Sequence, residues 1–264
     1  MSDGGVEPLL SWTDPSADVI MRKTFIQLVS ITGLLLFGST MPVWAQRTIF
    51  NVPQADIIEA KKLFFQQQIT VTDEIQSATT FTYGLGKSWE IGLNLNNVTL
   101  HYHTAHQPVL ELHSEEPEQN PDLTVNIQKG IHFTDWFDLG IGTRTGVGYT
   151  EKISRLELAD FSYLNGQFII SGPEIKLYAG GYYTTPDYAG EGNAFGYMAA
   201  VQVPIIQEKL FAEGEIISGT NIYSNITGGL VFQFSKRWQL AAGVQIPAPG
   251  SKNPYGATLQ LSNR

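Results

Sequence analysis

The chain has 264 residues, of which 16% are charged and 26 are glycine, and its formal net charge is −9. The acidic balance excludes a nucleic-acid binder, which needs a basic surface, and the lack of cysteine excludes a disulfide framework or a thiolate metal site. A mean hydropathy near zero excludes a bundle of long apolar helices, while the length suits one large β domain or two smaller domains.

Residues 1–20 are polar, carry Pro8 and Pro15 and show no periodicity, which predicts a disordered or untranslated extension. Met21-Arg22-Lys23 then forms a basic opening, Phe25–Phe37 an apolar run, and Val43-Trp44-Ala45 a small-x-small ending. These are the parts of a secretory signal peptide. The run is shorter than the roughly 20 residues that a membrane anchor requires. The expected division is therefore an extension over 1–20, a signal peptide over 21–45, a periplasmic N-terminal segment over 46–61 and a barrel over 62–264, with Gln46 the mature N-terminus.

From Leu63 onward the pattern is period-2 alternation, which predicts strands. Leu63, Phe65, Ile69 and Val71 share one face, and Gln66, Gln68 and Thr70 the other. Phe81, Tyr83 and Leu85 run into a turn at Gly86-Lys87-Ser88, and Trp89, Ile91, Leu93 and Leu95 run out of it. A long polar insertion, Asn97 to Asp122, carries four histidines. Leu123, Val125 and Ile127 begin the next strand. Phe137 to Tyr149 then alternates an apolar or β-branched face with a face of Asp138, Gly140, Gly142, Arg144, Gly146 and Gly148. Glycine weakens a strand unless something needs the space.

The second half repeats the scheme. Ala159, Phe161 and Tyr163 form one strand face, followed by Ile175 to Tyr183, Phe195 to Val203, Leu210 to Ile216, Ile226 to Phe234, Trp238 to Ile246 and Tyr255 to Leu261. The alternation over Ser154–Ile170 is weak. The expected fold is all-β, an antiparallel transmembrane β-barrel of about 12 strands, an even number as in bacterial single-chain barrels. Short connections near Gly86, Asp135, Gly172, Glu208 and Lys236 alternate with longer ones, as periplasmic turns alternate with outer loops. Tyr83, Trp89, Phe133, Phe137, Phe234 and Trp238 flank the short turns, and Tyr149, Tyr183 and Phe195 lie near the other ends, which predicts two aromatic girdles. Lys129 has the outward parity of Ile127, which predicts a charge in lipid unless a bulge at Gly130 re-aims it.

The segments Asn51–Gln68, Thr79–Leu95, Leu210–Asn221 and Gly228–Pro247 resemble the outer-membrane β-barrel transporter family of the phenol-degradation meta-pathway type. The likeness covers about 200 residues as a pattern of strands and turns. It implies a small barrel in the cell outer membrane for uptake or efflux of small molecules. Many outer-membrane barrels end on an aromatic residue used in assembly, whereas this sequence reads Leu261-Ser262-Asn263-Arg264 at its end.

Charged residues of inward parity are the candidate pore lining: Glu90, Asp138, Arg144, Glu174, Lys176, Glu213 and Glu215. They either fill a narrow lumen with ion pairs or line a polar path that selects solutes. His101, His103 and His106 are the candidate metal ligands, since histidines two apart on a strand share a face. Gly86-Lys87-Ser88 resembles the end of a phosphate-binding loop, but Phe81 stands where its first glycine is needed. No nucleophile motif accompanies a histidine, so a non-enzyme without a cofactor is expected. The expected partners are outer-membrane lipid, the outer-membrane assembly machinery and a small-molecule solute. The alternatives are a structural or adhesive barrel that binds a partner through its outer loop, and a lipid-modifying enzyme.

Overall fold

Twelve strands close into a ring in the computed structural model, which describes residues 48–102, 108–111, 121–150, 155–172 and 174–263. The expected extension, signal peptide and cleavage point lie outside the described residues. Two short strands, β1 (Thr48–Ile49) and β2 (Val52–Pro53), form a hairpin of their own. The ring consists of β3 (Leu63–Val71), β4 (Ile75–Gly86), β5 (Trp89–Tyr102), β7 (Asp122–Thr134), β8 (Phe137–Thr150), β9 (Arg155–Ile170), β10 (Ile175–Thr184), β11 (Phe195–Ile206), β12 (Leu210–Ile217), β13 (Asn225–Gln233), β14 (Trp238–Pro247) and β15 (Gly256–Asn263). A further strand, β6 (Pro108–Glu111), pairs with β5 outside the ring. Each strand pairs antiparallel with its neighbours in sequence, and β15 closes on β3 with Leu259 opposite Ile69. Closure leaves the ring without a free edge.

The ring's inside and outside follow from the alternation. On β7, Asp122, Thr124, Asn126 and Gln128 are buried, while Leu123, Val125 and Ile127 are exposed. Similar apolar exteriors continue on β5, β13 and β14, as in a barrel surrounded by lipid. Aromatic rings gather on the outside at the short-turn end. Phe137 stacks on Phe168 (4.8 Å) and on Phe133 (5.5 Å), and Phe65 lies against Phe81 (5.1 Å). At the opposite end Tyr183 meets Phe195 (4.9 Å). The short turns are tight. Lys87 and Ser88 both have positive φ (52° and 59°), the backbone of a two-residue hairpin whose twist matches its strands.

Four expectations need correction. The insertion after Asn97 is not a loop throughout, because β5 continues to Tyr102 and pairs with Ile75–Ser77 on one side and with β6 on the other. On β9 the face carrying Ala159, Phe161 and Tyr163 points inward, and Leu158 and Leu164 point out. Lys129 does not sit in mid-belt. It pairs with Trp89 beside the short turn, its Nζ donates to the Lys87 carbonyl and lies 5.3 Å from the Trp89 ring, and the register is continuous through Gly130. The long stem thus carries its charge to the barrel's end.

The fourth concerns the segment before the barrel. Residues 49–58 lie within the ring and not outside it as a periplasmic segment, while Glu59, Ala60 and Lys61 are exposed. Ile49, Phe50, Val52, Ala55 and Ile58 are buried against the inner wall. Phe50 and Val52 cluster with Val231, Ala241, Met198 and Ile217, and Ile58 packs on Phe64. Each such side chain withdraws apolar surface worth about 1.5–3 kcal/mol. The glycine faces make room. A Cβ at Gly140 would come within 3.1 Å of the Ala55 Cα, and one at Gly243 within 2.7 Å of the Phe50 ring.

Candidate functional site

The lumen is the candidate site, and the segment inside it is held by side chains from widely separated strands. At its tip, Glu215 accepts the Asn51 amide (3.0 Å), the Val52 amide (2.8 Å) and the Asn51 side-chain amide (2.9 Å). Lower down, Gln128 donates to the Gln54 carbonyl (2.8 Å), Asn165 to the Pro53 carbonyl, and the Ile58 amide to Glu90 (2.9 Å). Asp56 is clasped by Gln167 (2.9 Å) and by Lys176 (2.9 Å). At the short-turn end the backbone joins that of β4, with the Lys61 amide on the Gly84 carbonyl (2.8 Å) and the Gly84 amide on the Lys62 carbonyl (3.0 Å). A backbone with little ladder of its own must find other partners once it leaves water, and the barrel's inward polar residues provide them.

The sequence-derived candidates therefore separate by location. Glu90, Glu215 and Lys176 hold the inner segment. Glu213 is buried beside them and accepts from Gln202. Asp138 lies at the short-turn rim, paired with His132 (2.7 Å). Glu174 does not face the lumen. It occupies the β9–β10 turn at φ 55°, exposed, and accepts from Gln207 (2.6 Å). Its apparent inward parity fails because the strand starts one residue later. Arg144 faces the lumen at mid-height, opposite Asn126 and Phe161. His103 and His106 lie outside the described residues, and His101 stands opposite Val109 on β5. Among the described residues no group of three potential ligands is placed to hold a metal ion.

Above the segment's tip is a cavity of about 510 Å³, with Phe50 and Asn51 at its base. Gln66, Gln68, Asn96, Asn225 and Gln245 supply amides to its wall, and Arg144 supplies a cation. Tyr188, on the one-turn helix Pro186–Ala189, and Tyr223 fold over it, stacked at 5.1 Å. Burial pushes both phenols above their ordinary range, so they stay protonated. Asn221 and Asn253 tie this mouth together. Asn221 donates to the Tyr182 hydroxyl (3.0 Å) and the Asn193 carbonyl (2.9 Å), and Asn253 to the Ile222 carbonyl (2.9 Å).

Sequence reasoning missed Asn51, Asp56, Gln128, Asn165 and the tyrosines of the mouth. The glycine face of β8 was the available signal, since an unfilled face implies an occupant.

This arrangement defines a closed, porin-like barrel with part of its own chain in the lumen. Among solved structures, the chain is similar to the KdgM porin in complex with disordered oligogalacturonate, with TM-score 0.54 and 8% identity over 76% of this chain and 98% of that one. It is similar to the KdgM porin (0.52, 9%) and to the NanC porin (0.51, 8%) over the same shares of each chain. At these identities the likeness concerns the fold. No family model and no curated protein matches the chain.

Proposed function

We propose that the protein is an outer-membrane channel that passes small polar solutes through a lumen narrowed by its own N-terminal segment. The observation that carries this reading is a closed ring, apolar outside and amide-rich inside, that keeps a cavity of about 510 Å³ above the segment's tip. The similar structures are porins, and solute passage comes to this chain by analogy of fold. On this reading Met21–Ala45 directs export and is removed, the short turns face the periplasm, lipid covers the outer belt, and the outer-membrane assembly machinery inserts the barrel. The transporter family of the phenol-degradation meta-pathway type is the family proposed for it. Glu90, Lys176, Glu213 and Glu215 position the segment, and Arg144 lines the path. The reading contains no catalytic step.

The hydrogen-bonded segment also favours a second reading, a closed structural barrel. Conductance in a planar bilayer separates the two. The channel reading expects discrete openings from the purified barrel, larger in a Glu215→Ala variant whose segment is loosened. A folded, heat-modifiable barrel that conducts in neither form would establish the closed barrel instead.

A further inference from the structure

We propose that the cavity above the segment's tip is a binding site for a hydroxylated carboxylate, with the carboxylate on Arg144. The inference deepens the channel reading and rests on it for its biological meaning, although binding can be measured without conduction.

Arg144 lines the cavity, and its guanidinium touches the neutral phenol of Tyr188. Among the described residues it forms no ion pair, and its Nε is buried without a hydrogen-bond partner. The nearby acids are already engaged: Asp122 has one oxygen on Asn96 (2.7 Å) and the other on Asn97 (3.0 Å), and Glu90 accepts the Ile58 amide (2.9 Å). The wall thus brings a cation into the lumen and turns its two neighbouring carboxylates to other partners. Such a charge is costly to bury uncompensated, and a planar guanidinium matches a carboxylate in a forked pair.

The rest of the wall indicates what the carboxylate is attached to. Gln66, Gln68, Gln245 and Asn225 offer both donors and acceptors, which suits hydroxyl groups. Phe50 and the Tyr188–Tyr223 stack present ring surface to an apolar ligand face. The volume falls within the roughly 300–1,000 Å³ of small-molecule sites. A monoanion fits the charge count better than a phosphate dianion, because Asp73 and Glu74 in the same lining already balance Lys252 and Arg144, so a dianion would leave the cavity doubly negative.

The test is calorimetric titration of the purified barrel with glucuronate, glucose, acetate and glucose 6-phosphate. Glucuronate is expected to bind at least tenfold more tightly than each of the others. Arg144→Gln is expected to lose at least tenfold of the glucuronate affinity and to leave that for glucose unchanged. Arg144→Lys, which keeps the charge and loses the fork, is expected to lose part of it. Equal binding of glucuronate and glucose, binding of neither, tighter binding of acetate or glucose 6-phosphate, or an Arg144→Gln barrel that keeps its affinity would each overturn the assignment. The probe comparison needs no variant, so a variant that fails to fold leaves it decisive. A conducting barrel that binds none of the probes refutes this site and leaves the channel reading standing, whereas binding without conduction does the reverse.

Discussion

Glu215 is the residue on which the tip of the inner segment depends. Its oxygens accept two backbone amides and one side-chain amide from Asn51 and Val52. Leaving a buried donor unpaired costs about 1–3 kcal/mol. Glu215→Ala should therefore speed hydrogen exchange at the Asn51 and Val52 amides by about tenfold or more. Exchange as slow as in the unaltered barrel would mean that packing of Phe50, and not the carboxylate, holds the tip. Glu215→Gln is a finer probe, because it turns an NH₂ group toward donors and should loosen the tip despite its similar size. Gly140 tests the other contact. A Cβ there meets the Ala55 backbone at 3.1 Å, which cannot swing aside as a side chain could. Gly140→Val should displace the segment at a cost of about 1–3 kcal/mol, typical of overpacking, and tryptic cleavage after Lys61 should accelerate while the barrel stays closed. Unchanged cleavage would show that the segment does not rely on that glycine.

At the level of elements, strands and turns were legible and the inner segment was not. β3 was readable at its observed limits, Leu63 to Val71, because one face meets polar lumen and the other an apolar surround. The short turns were readable because their strands flank them so closely. β9 failed because its inward side carries Phe161 and Tyr163 beside Asn165 and Gln167, and its outward side Asp160 and Ser162 between Leu158 and Leu164, so both faces are mixed and the period-2 contrast vanishes. The segment over 48–61 failed because it has almost no ladder, and its partners lie far along the chain, as with Asn51 and Glu215. Sequence periodicity reports local repetition and carries no information about such pairings. Candidate charges were found by parity, so Glu215 and Lys176 were found and Glu174 was misplaced by the turn. The mouth makes its own prediction. Tyr188 and Tyr223 are held above the ordinary phenol pKa of about 10 by burial. For a group whose folded pKa is raised, the contribution to stability is complete below the unfolded pKa and is lost as pH rises through the folded one. The stacked pair should thus be stable through neutral pH and open in the alkaline range above about 10. Tyrosinate absorbance should show late-titrating phenols, and Tyr188→Phe should remove one. If that variant titrates as the unaltered protein does, the late phenol lies elsewhere.

For the whole molecule the decisive property is the outer surface. Leu93, Val125, Leu230 and Val244 are exposed in the middle of the ring, and although the polar group of Thr143, Thr145, Asp160 and Ser162 interrupts it on β8 and β9, so large an apolar exterior is rare on a protein surrounded by water. It fits a barrel embedded in hydrocarbon, with rings at both ends and Lys129 carried to the short-turn rim beside Trp89. This yields a depth-dependent prediction. An arginine at the belt's midplane costs about 2–4 kcal/mol, falling to about 0–1 near the interfaces. Leu93 is exposed within β5 opposite Phe81 and Val125, whereas Leu85 is exposed next to the Gly86 turn. Leu93→Arg should accordingly destabilise the barrel in lipid vesicles several times more than Leu85→Arg, measured by denaturant unfolding with the same lipid for both. In detergent, whose thin and pliable shell lets water reach the charge, the difference should shrink. A soluble barrel would show no such difference, since charge on its exterior would be tolerated at either height. Equal costs at Leu93 and Leu85 in vesicles would therefore remove the membrane from the account of this fold, and with it the physical reason for an apolar exterior around a polar lumen.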